Sequence, residues 1–515
     1  MANLLATKPL NVILGEAQET GERSLRRALG PSNLVALGIG AIIGTGIFVI
    51  TGTTAAQFAG PSIVISFVVA AVSCVFAGLC YAEFASMIPV AGSAYTYGYA
   101  TLGEIFAWII GWDLVLEYAF GAATVASGWS GYLLSLLGDF GIKLPASLAG
   151  TRWDEFIYYN NHWELSTLIL PKLRSAGIDP ATLPHAFGVF NLFGFLAIMI
   201  ATLILVIGIK ESANFNTAIV FIKVCVLLVF IAIGGYYLLN HTELMTANWH
   251  PFVPPNSGTF GEFGRSGIVR AAAIIFFAYI GFDAVSTAAQ EAKNPARDMP
   301  IGILGSLAIC TVLYILVSGI LTGLVNYRNL NVRDALAVGI DVTGVRWGSL
   351  MVKIGALMGL SSTIVVMLLG QSRVFFSMSH DGLLPRLFST VHPRFRTPWI
   401  STLTVGTFVA VLAASLPINI LTEMVSIGTL LAFVIVSAGV WILRRRNPGL
   451  ERPFRTPWVP FTPIMGIVMA LGLMLTLSRP TWIRLVVWLV LGLLIYFGYG
   501  RKHSRVQAAA ASGTR

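Results

Sequence analysis

The sequence predicts an all-α integral membrane protein with two five-span halves of opposite orientation and two further spans behind them. Three observations predict it. Of its 515 residues, 56% are hydrophobic and only 11% charged, and the mean hydropathy is +0.79; soluble domains carry about 25% charged residues. Apolar runs of ~20 residues or more, long enough to cross a bilayer as helices, recur twelve times along the chain. The first and sixth of these runs are each interrupted by glycine at mid-length.

The runs lie at 33–57, 61–88, 97–135, 185–208, 213–239, 267–290, 300–325, 346–379, 399–416, 421–443, 459–478 and 481–500. In the first, Gly38, Gly40, Gly44 and Gly46 fall close together. Each glycine destabilises a helix interior by roughly 1 kcal/mol, and hydrocarbon tolerates freed backbone groups only where they are buried in protein or line a cavity. The break therefore implies a cavity with something bound in it; the other use of such glycines is close helix packing. No turn signal splits the long third and eighth runs, so each reads as one tilted helix with an extramembrane extension. The sixth run carries a glycine and an acid at mid-depth, in Phe276-Phe277-Ala278-Tyr279-Ile280-Gly281-Phe282-Asp283. Breaks in the first and sixth runs imply a repeat of five spans, and an odd repeat forces the halves into opposite orientations. This is the design of inverted-repeat transporters, with the binding site at the two breaks. The expected division is an N-terminal segment 1–32, a first half 33–240 with an insertion at about 136–184, a second half 266–444, two spans within 458–500 and a tail 501–515.

The formal net charge of +10 resides in short connections. Arg23, Arg26, Arg27, Lys293, Arg297, Arg386, Arg394, Arg396, Arg444, Arg445, Arg446, Arg452, Arg455, Arg501, Lys502 and Arg505 all fall on one side. The positive-inside bias makes that side the cytoplasm and puts both termini there. The basicity thus reflects topology in a lipid bilayer, not nucleic-acid binding. The polar head has no short apolar core with a cleavage site, so the first span is expected to be retained. Cys74, Cys80, Cys225 and Cys310 all sit inside apolar runs, which argues against a disulfide framework or a metal cluster; no cofactor is expected. The segment 139–185, with Trp153, Tyr158 and Tyr159, exceeds the usual connection length and reads as an external cap of unassigned role. The seven histidines are scattered with no H-E-x-x-H pair, against an intramembrane metalloprotease. Two broken helices rather than a ring of repeated selectivity elements argue against a pore.

Lys223 stands in the middle of the fifth run with no acid nearby in sequence. A charged lysine there costs at least about 2.5–3.5 kcal/mol, so it must lose its proton or find partners. Asp113 and Glu117, four residues apart, share a helix face and repel, so one is expected to face a partner or carry a proton. Glu83 is expected to pair structurally. Asp283 and Arg373 lie near inner helix ends, suited to a gate or a loop-locking pair. Lys353 is expected to snorkel near an outer end, and 333–339 to form a short external interfacial segment. Met367 and Leu368 are either a pocket floor or ordinary packing.

Five stretches carry a resemblance: Gly40-Ala41-Ile42-Ile43-Gly44-Thr45-Gly46-Ile47-Phe48, Tyr81-Ala82-Glu83-Phe84, Pro89-Val90-Ala91-Gly92-Ser93-Ala94-Tyr95, Phe277-Ala278-Tyr279-Ile280-Gly281-Phe282-Asp283 and Asn294-Pro295-Ala296-Arg297-Asp298-Met299-Pro300-Ile301. On these the chain resembles the amino acid, polyamine and organocation transporters, and within them the bacterial relatives of the cationic amino acid transporters, over 25–503 apart from the insertion. The resemblance implies a leucine-transporter-like fold, placed in the inner membrane, that moves amino acids by alternating access. The expected mode is symport with a proton, with exchange of one amino acid for another as the alternative, and the family's substrates include both small neutral and cationic amino acids.

For an amino acid, the helix start after the first break would offer N–H groups of Thr45, Gly46 and Ile47 to the carboxylate, with Gly44 and Gly46 allowing close approach. The carbonyls of Ile43, Phe277, Ala278 and Ile280 would accept from the ammonium. Phe282 resembles the aromatic gate of this fold, and the resemblance turns Glu117 toward the substrate pocket, where an anion favours a cationic side chain. Lys223 matches a fifth-span lysine that replaces a bound cation between the first and eighth spans. Protonated, it would bond the Gly40 carbonyl and the hydroxyls of Ser361 or Ser362; deprotonated, it would release them. The alternative for Lys223 is a static ion substitute that never titrates.

Overall fold

The computed structural model describes residues 4–9, 29–88, 93–142, 144–159, 162–166, 169–170, 173, 177–208 and 213–511. Arg23, Arg26, Arg27 and the Pro89–Gly92 part of one motif lie outside the described residues. The protein is predominantly helical. Among the described residues, eight helical segments are long and apolar enough to cross a membrane: Gly46–Met87, Glu104–Asp139, Ala218–Asn240, Gly264–Ser286, Pro295–Leu324, Arg346–His380, Ile418–Arg446 and Arg479–His503. Four shorter apolar helices accompany them, Pro31–Ile42, Leu192–Ile207, Trp399–Ser415 and Phe461–Thr476.

The helices that position the site are α1 (Pro31–Ile42), α2 (Ile63–Met87), α3 (Glu104–Val115), α4 (Gly121–Asp139), α5 (Leu192–Ile207), α6 (Ala213–Asn240), α7 (Gly264–Ile275), α8 (Pro295–Leu324), α9 (Ala335–Asp341), α10 (Arg346–His380), α11 (Trp399–Ser415) and α12 (Ile418–Arg446). α8 packs on α1 and α2, α10 on α4 and α6, and α5 on α11. One continuous apolar core runs through all of them. Interhelical contact depends on small residues: a Cβ on Gly355 of α10 would lie 2.1 Å from the Val226 side chain of α6, and one on Gly406 of α11 would lie 2.1 Å from the Thr202 hydroxyl of α5.

The long third run is not one helix. A short helix Ser93–Thr101 ends before Gly103, whose φ of +105° turns the chain, and α3 starts at Glu104. Gly103 admits the N-terminal segment: the Glu104 and Ile105 N–H groups donate to the carbonyls of Ala6 and Leu4 at 3.0 and 3.1 Å. α3 then runs into a π-helical turn, Leu116–Phe120, before α4. The eighth run is a single 35-residue helix, α10.

The cap adds a small sheet to the otherwise helical chain, beside a short helix, Ala146–Ala149, and a 3-10 turn, Pro180–Thr182. Strands β1 (Glu155–Tyr159), β2 (His162–Leu165) and β3 (His185–Phe187) form an antiparallel sheet in the order β2-β1-β3, so the fourth apolar run begins as a strand and becomes helix only at Leu192. The alternating Phe156 and Ile157 positions bury apolar side chains against small local clusters. Asp154 fastens this unit to the main body by accepting from the Arg333 guanidinium at 2.5 Å. The segment expected to lie at an interface is instead buried: α9 follows Arg333, and Ala335, Leu336, Ala337, Gly339 and Ile340 are all buried. Lys353 does not snorkel; it is 4% exposed and pairs with Asp139 at 2.6 Å. In each case an acid from the cap or its flank reaches the cation, which a reading by local spacing cannot anticipate.

Candidate functional site

Helix α1 stops at Ile42. Ile43 is extended (φ −71°, ψ 100°), and helix resumes with a π-helical stretch, Gly46–Ile50. The second interruption has the same form. α7 ends at Ile275, a 3-10 turn covers Phe276–Tyr279, Ile280 is extended (ψ 137°), Gly281 has φ +113°, and a 3-10 segment follows over Asp283–Glu291. These breaks meet backbone to backbone. A Cβ on Gly46 would lie 2.3 Å from the Ala278 Cα, and one on Gly281 would lie 2.8 Å from the Ala41 carbonyl carbon. Only glycine allows that approach, and at Gly281 only glycine adopts the dihedral without strain.

The resumed stretch presents the N–H groups of Thr45, Gly46 and Ile47 at its start, where a helical stretch has no internal acceptors for them. Thr45 is fully buried; its hydroxyl reaches the Val125 carbonyl of α4 at 3.5 Å and its methyl packs where Gly128 leaves room. Two tyrosines satisfy carbonyls on either side of the break: Tyr314 donates to Ile42 and Tyr132 to Phe48, both at 2.9 Å. Phe277, Ala278 and Ile280 line the second break, all nearly inaccessible to solvent. The Phe277 carbonyl already accepts from the Ile280 N–H at 3.2 Å. Phe282 packs edge-on against Tyr81 and tilted against Phe433, with ring centroids 5.9 and 5.2 Å apart.

Lys223, on α6 and fully buried, donates to three acceptors: the Gly40 carbonyl at 2.7 Å, the Ile43 carbonyl at 3.0 Å and the Thr363 hydroxyl at 2.8 Å. A three-proton ammonium is thereby matched by three oxygens, which is how a buried cation is satisfied. Two expectations are corrected. The hydroxyl partner is Thr363, not Ser361 or Ser362: Ser361 accepts from Trp129 Nε1 and donates to Leu357, while Ser362 donates to Gly359. The Ile43 carbonyl, expected for a ligand ammonium, is taken by Lys223 and by the Thr363 hydroxyl at 3.3 Å. Helical geometry explains the first correction. Gly355, Gly359 and Thr363 recur every four residues on one face of α10, and Lys223 lies along it, with its side-chain carbons 3.0 Å from a Cβ built on Gly359. That stripe was present in the sequence and would have selected Thr363.

Glu117 lies in the π-helical turn, its fully buried carboxyl group beside Asp283 and Thr429. Asp283 accepts from the Tyr118 hydroxyl at 3.0 Å. It is fully buried and therefore does not join Arg373 in a gate; Arg373 is half-exposed and 3.9 Å from Glu291. Asp113 is also buried, beside Gly428 of α12. Among the described residues, no cationic side chain pairs with Asp113, Glu117 or Asp283. Met367 of α10 contacts the space beside Gly121. Sequence reasoning missed Thr363, Tyr132, Tyr314 and the Glu117–Asp283 juxtaposition. Glu83, by contrast, pairs structurally as expected, with Arg444 at 2.6 Å and Arg452 at 3.3 Å. No cluster of metal-ligating side chains occurs among the described residues.

A multi-pass helical body in which two interrupted helices meet at their breaks has the architecture of a membrane transporter. The chain belongs to the amino acid permease family of the amino acid, polyamine and organocation superfamily, whose profile matches residues 29–497. It is 45% identical over 491 residues to the branched-chain amino acid permease BcaP of Bacillus subtilis, covering 95% of this chain and 96% of that one. It is 41% identical over 504 residues to the methylthioribose transporter of the same bacterium, covering 98% and 99%. It is 30% identical over 603 aligned residues to the vacuolar cationic amino acid transporter 4 of Arabidopsis thaliana, covering 95% and 94%.

Proposed function

We propose that the protein is a proton-coupled amino acid symporter of the inner membrane. In this reading twelve spans form two inverted halves of five plus two outer helices, both termini are cytoplasmic, and substrate binds between the two breaks. The observation that carries it is the contact of Lys223 with Gly40, Ile43 and Thr363. A protonated lysine holds the C-terminal end of α1 to α10 as a bound cation would; loss of its proton removes a donor and the charge, and frees both halves of the contact. The substrate carboxylate would sit on the N–H groups of Thr45, Gly46 and Ile47, and its ammonium on carbonyls of Phe277, Ala278 and Ile280. If substrate and proton bind the same outward-open state, closure follows only when both are present.

Relatives named for branched-chain and cationic amino acids and for methylthioribose bracket the substrate class. Among these, Glu117 and Asp283 favour an amino acid with a cationic side chain, whose charge these acids would attract. The test is uptake into proteoliposomes of radiolabelled leucine, alanine or arginine, competed by each other and by methylthioribose, with and without an inward proton gradient. Gradient-driven accumulation that Lys223→Ala abolishes supports the proposal. Undiminished gradient dependence in that variant sinks the lysine's role, and counterflow without net uptake makes the protein an exchanger.

A further inference from the structure

At the end of the molecule that carries Arg444, Arg445 and Arg446, a groove of about 590 Å³ opens between the start of α8 and the loop after α12. Its lining changes character along its length: Asn294 and Arg297 at one end, then Pro300, Ile301 and Leu304 of α8 facing Pro453 and Phe454 of the loop. Arg297 is exposed, and Ile301 is 41% exposed on the outward face of an apolar membrane-length helix. A charged mouth that leads onto an apolar trough beside such a helix has the polarity of a phospholipid.

Both walls are held from behind. On one side, the Leu29 N–H donates to Glu291 and the Lys293 N–H donates to Leu29, at 2.9 and 2.8 Å, tying the α8 start to the approach to α1. On the other, Arg452 donates to the carbonyls of Asn447, Pro448 and Leu450 and pairs with Glu83, and the Thr456 N–H also donates to Glu83 at 2.8 Å. The groove is thus built into the fold rather than left between loose loops. The charges around it are mainly positive: Lys293, Arg297 and Arg455 are exposed. Of the acids in these two segments, Asp298 is buried and accepts from the Asn294 N–H at 3.1 Å, Glu291 faces Arg373, and Glu451 alone is exposed.

We propose that this groove binds an anionic phospholipid, with its phosphate at Arg297 and Asn294 and an acyl chain along Ile301, Leu304 and Phe454. Basic pockets between membrane helices recognise such headgroups by charge, and apolar walls add burial of the chain. The bound lipid would bridge the element attached to α1 and the loop attached to α2.

The test is native mass spectrometry of the full-length purified protein with dioleoylphosphatidylglycerol or dioleoylphosphatidylcholine added at equal concentration. The expected result is retention of the anionic lipid over the zwitterionic one by about five-fold, the worth of one arginine near a headgroup. Arg297→Gln should lose that preference, whereas Arg297→Lys and Arg445→Gln should keep it; Arg445 stacks over Trp441 outside the groove lining. Equal retention of both lipids by the unmodified protein overturns the proposal without reference to any variant. So does an unchanged preference in Arg297→Gln, or displacement of the lipid by glycerol 3-phosphate, which would mark a site for soluble anions.

Discussion

Lys223 illustrates how one buried charge organises its surroundings. Its three partners come from the end of α1 and from α10, and a hydrogen bond to a charged group contributes about 1.5–3 kcal/mol. Thr363→Val should therefore weaken gradient-driven uptake by ten-fold or more, at about 1.4 kcal/mol per decade, while Ser361→Ala and Ser362→Ala change it little; initial rates in proteoliposomes check this. Asp154 makes a second residue-scale prediction. Burial pushes its carboxyl up, but the Arg333 guanidinium and the Thr151 N–H and hydroxyl outweigh that and hold it below the ordinary carboxylate value. A depressed carboxylate stabilises the fold fully above its unfolded value, about 3.9, and that contribution disappears as pH falls through the lower folded value. The melting temperature in detergent should therefore fall on acidification below about pH 4, and Asp154→Asn, already lacking the pair at neutral pH, should show a smaller acid-induced drop.

At the scale of elements, the two broken helices act as one unit because their backbones touch. Gly46→Ala would drive a methyl onto Ala278. Overpacking of this kind costs about 1–3 kcal/mol, and it would part the breaks on which the proposed substrate site depends. Loss of uptake with the protein still monodisperse is the expected outcome. Gly138 on α4 supplies the control: a Cβ there meets nothing within 4 Å. Gly138→Ala should leave uptake intact and raise thermal stability slightly, since alanine exceeds glycine by roughly 0.5–1 kcal/mol within a helix.

At the scale of the molecule, buried acids at the basic end gather distant parts of the chain. Glu83 of α2 holds Arg444 at the end of α12 together with Arg452 and Thr456 of the following loop. Glu104 accepts from the hydroxyls of Tyr99, Tyr496 and Ser504, and Asp381 accepts from Lys8 and Tyr95, so both terminal segments close on the same region. Removing one partner of a buried pair costs about 3–5 kcal/mol because it strands the other charge. Glu83→Gln is expected to lower the melting temperature in detergent by more than any substitution named above, read by differential scanning fluorimetry.

What the sequence determined by itself is local in its physics. Run length sets which segments can cross a bilayer, four clustered glycines mark where α1 stops, and a lysine in an apolar run must find oxygens. The rest depends on groups far apart in the chain. Gly103 reads as one glycine in a long apolar run until Leu4 and Ala6 arrive to pair beside it. Lys353 reads as a snorkelling end residue until Asp139 meets it, and Arg333 as interfacial until Asp154 does. The choice of Thr363 over Ser361 and Ser362 was within reach of the four-residue stripe on α10. The joining of Glu117 with Asp283 was not, because it rests on how α3 and the second break are packed, and nothing in the spacing of either segment encodes that distance.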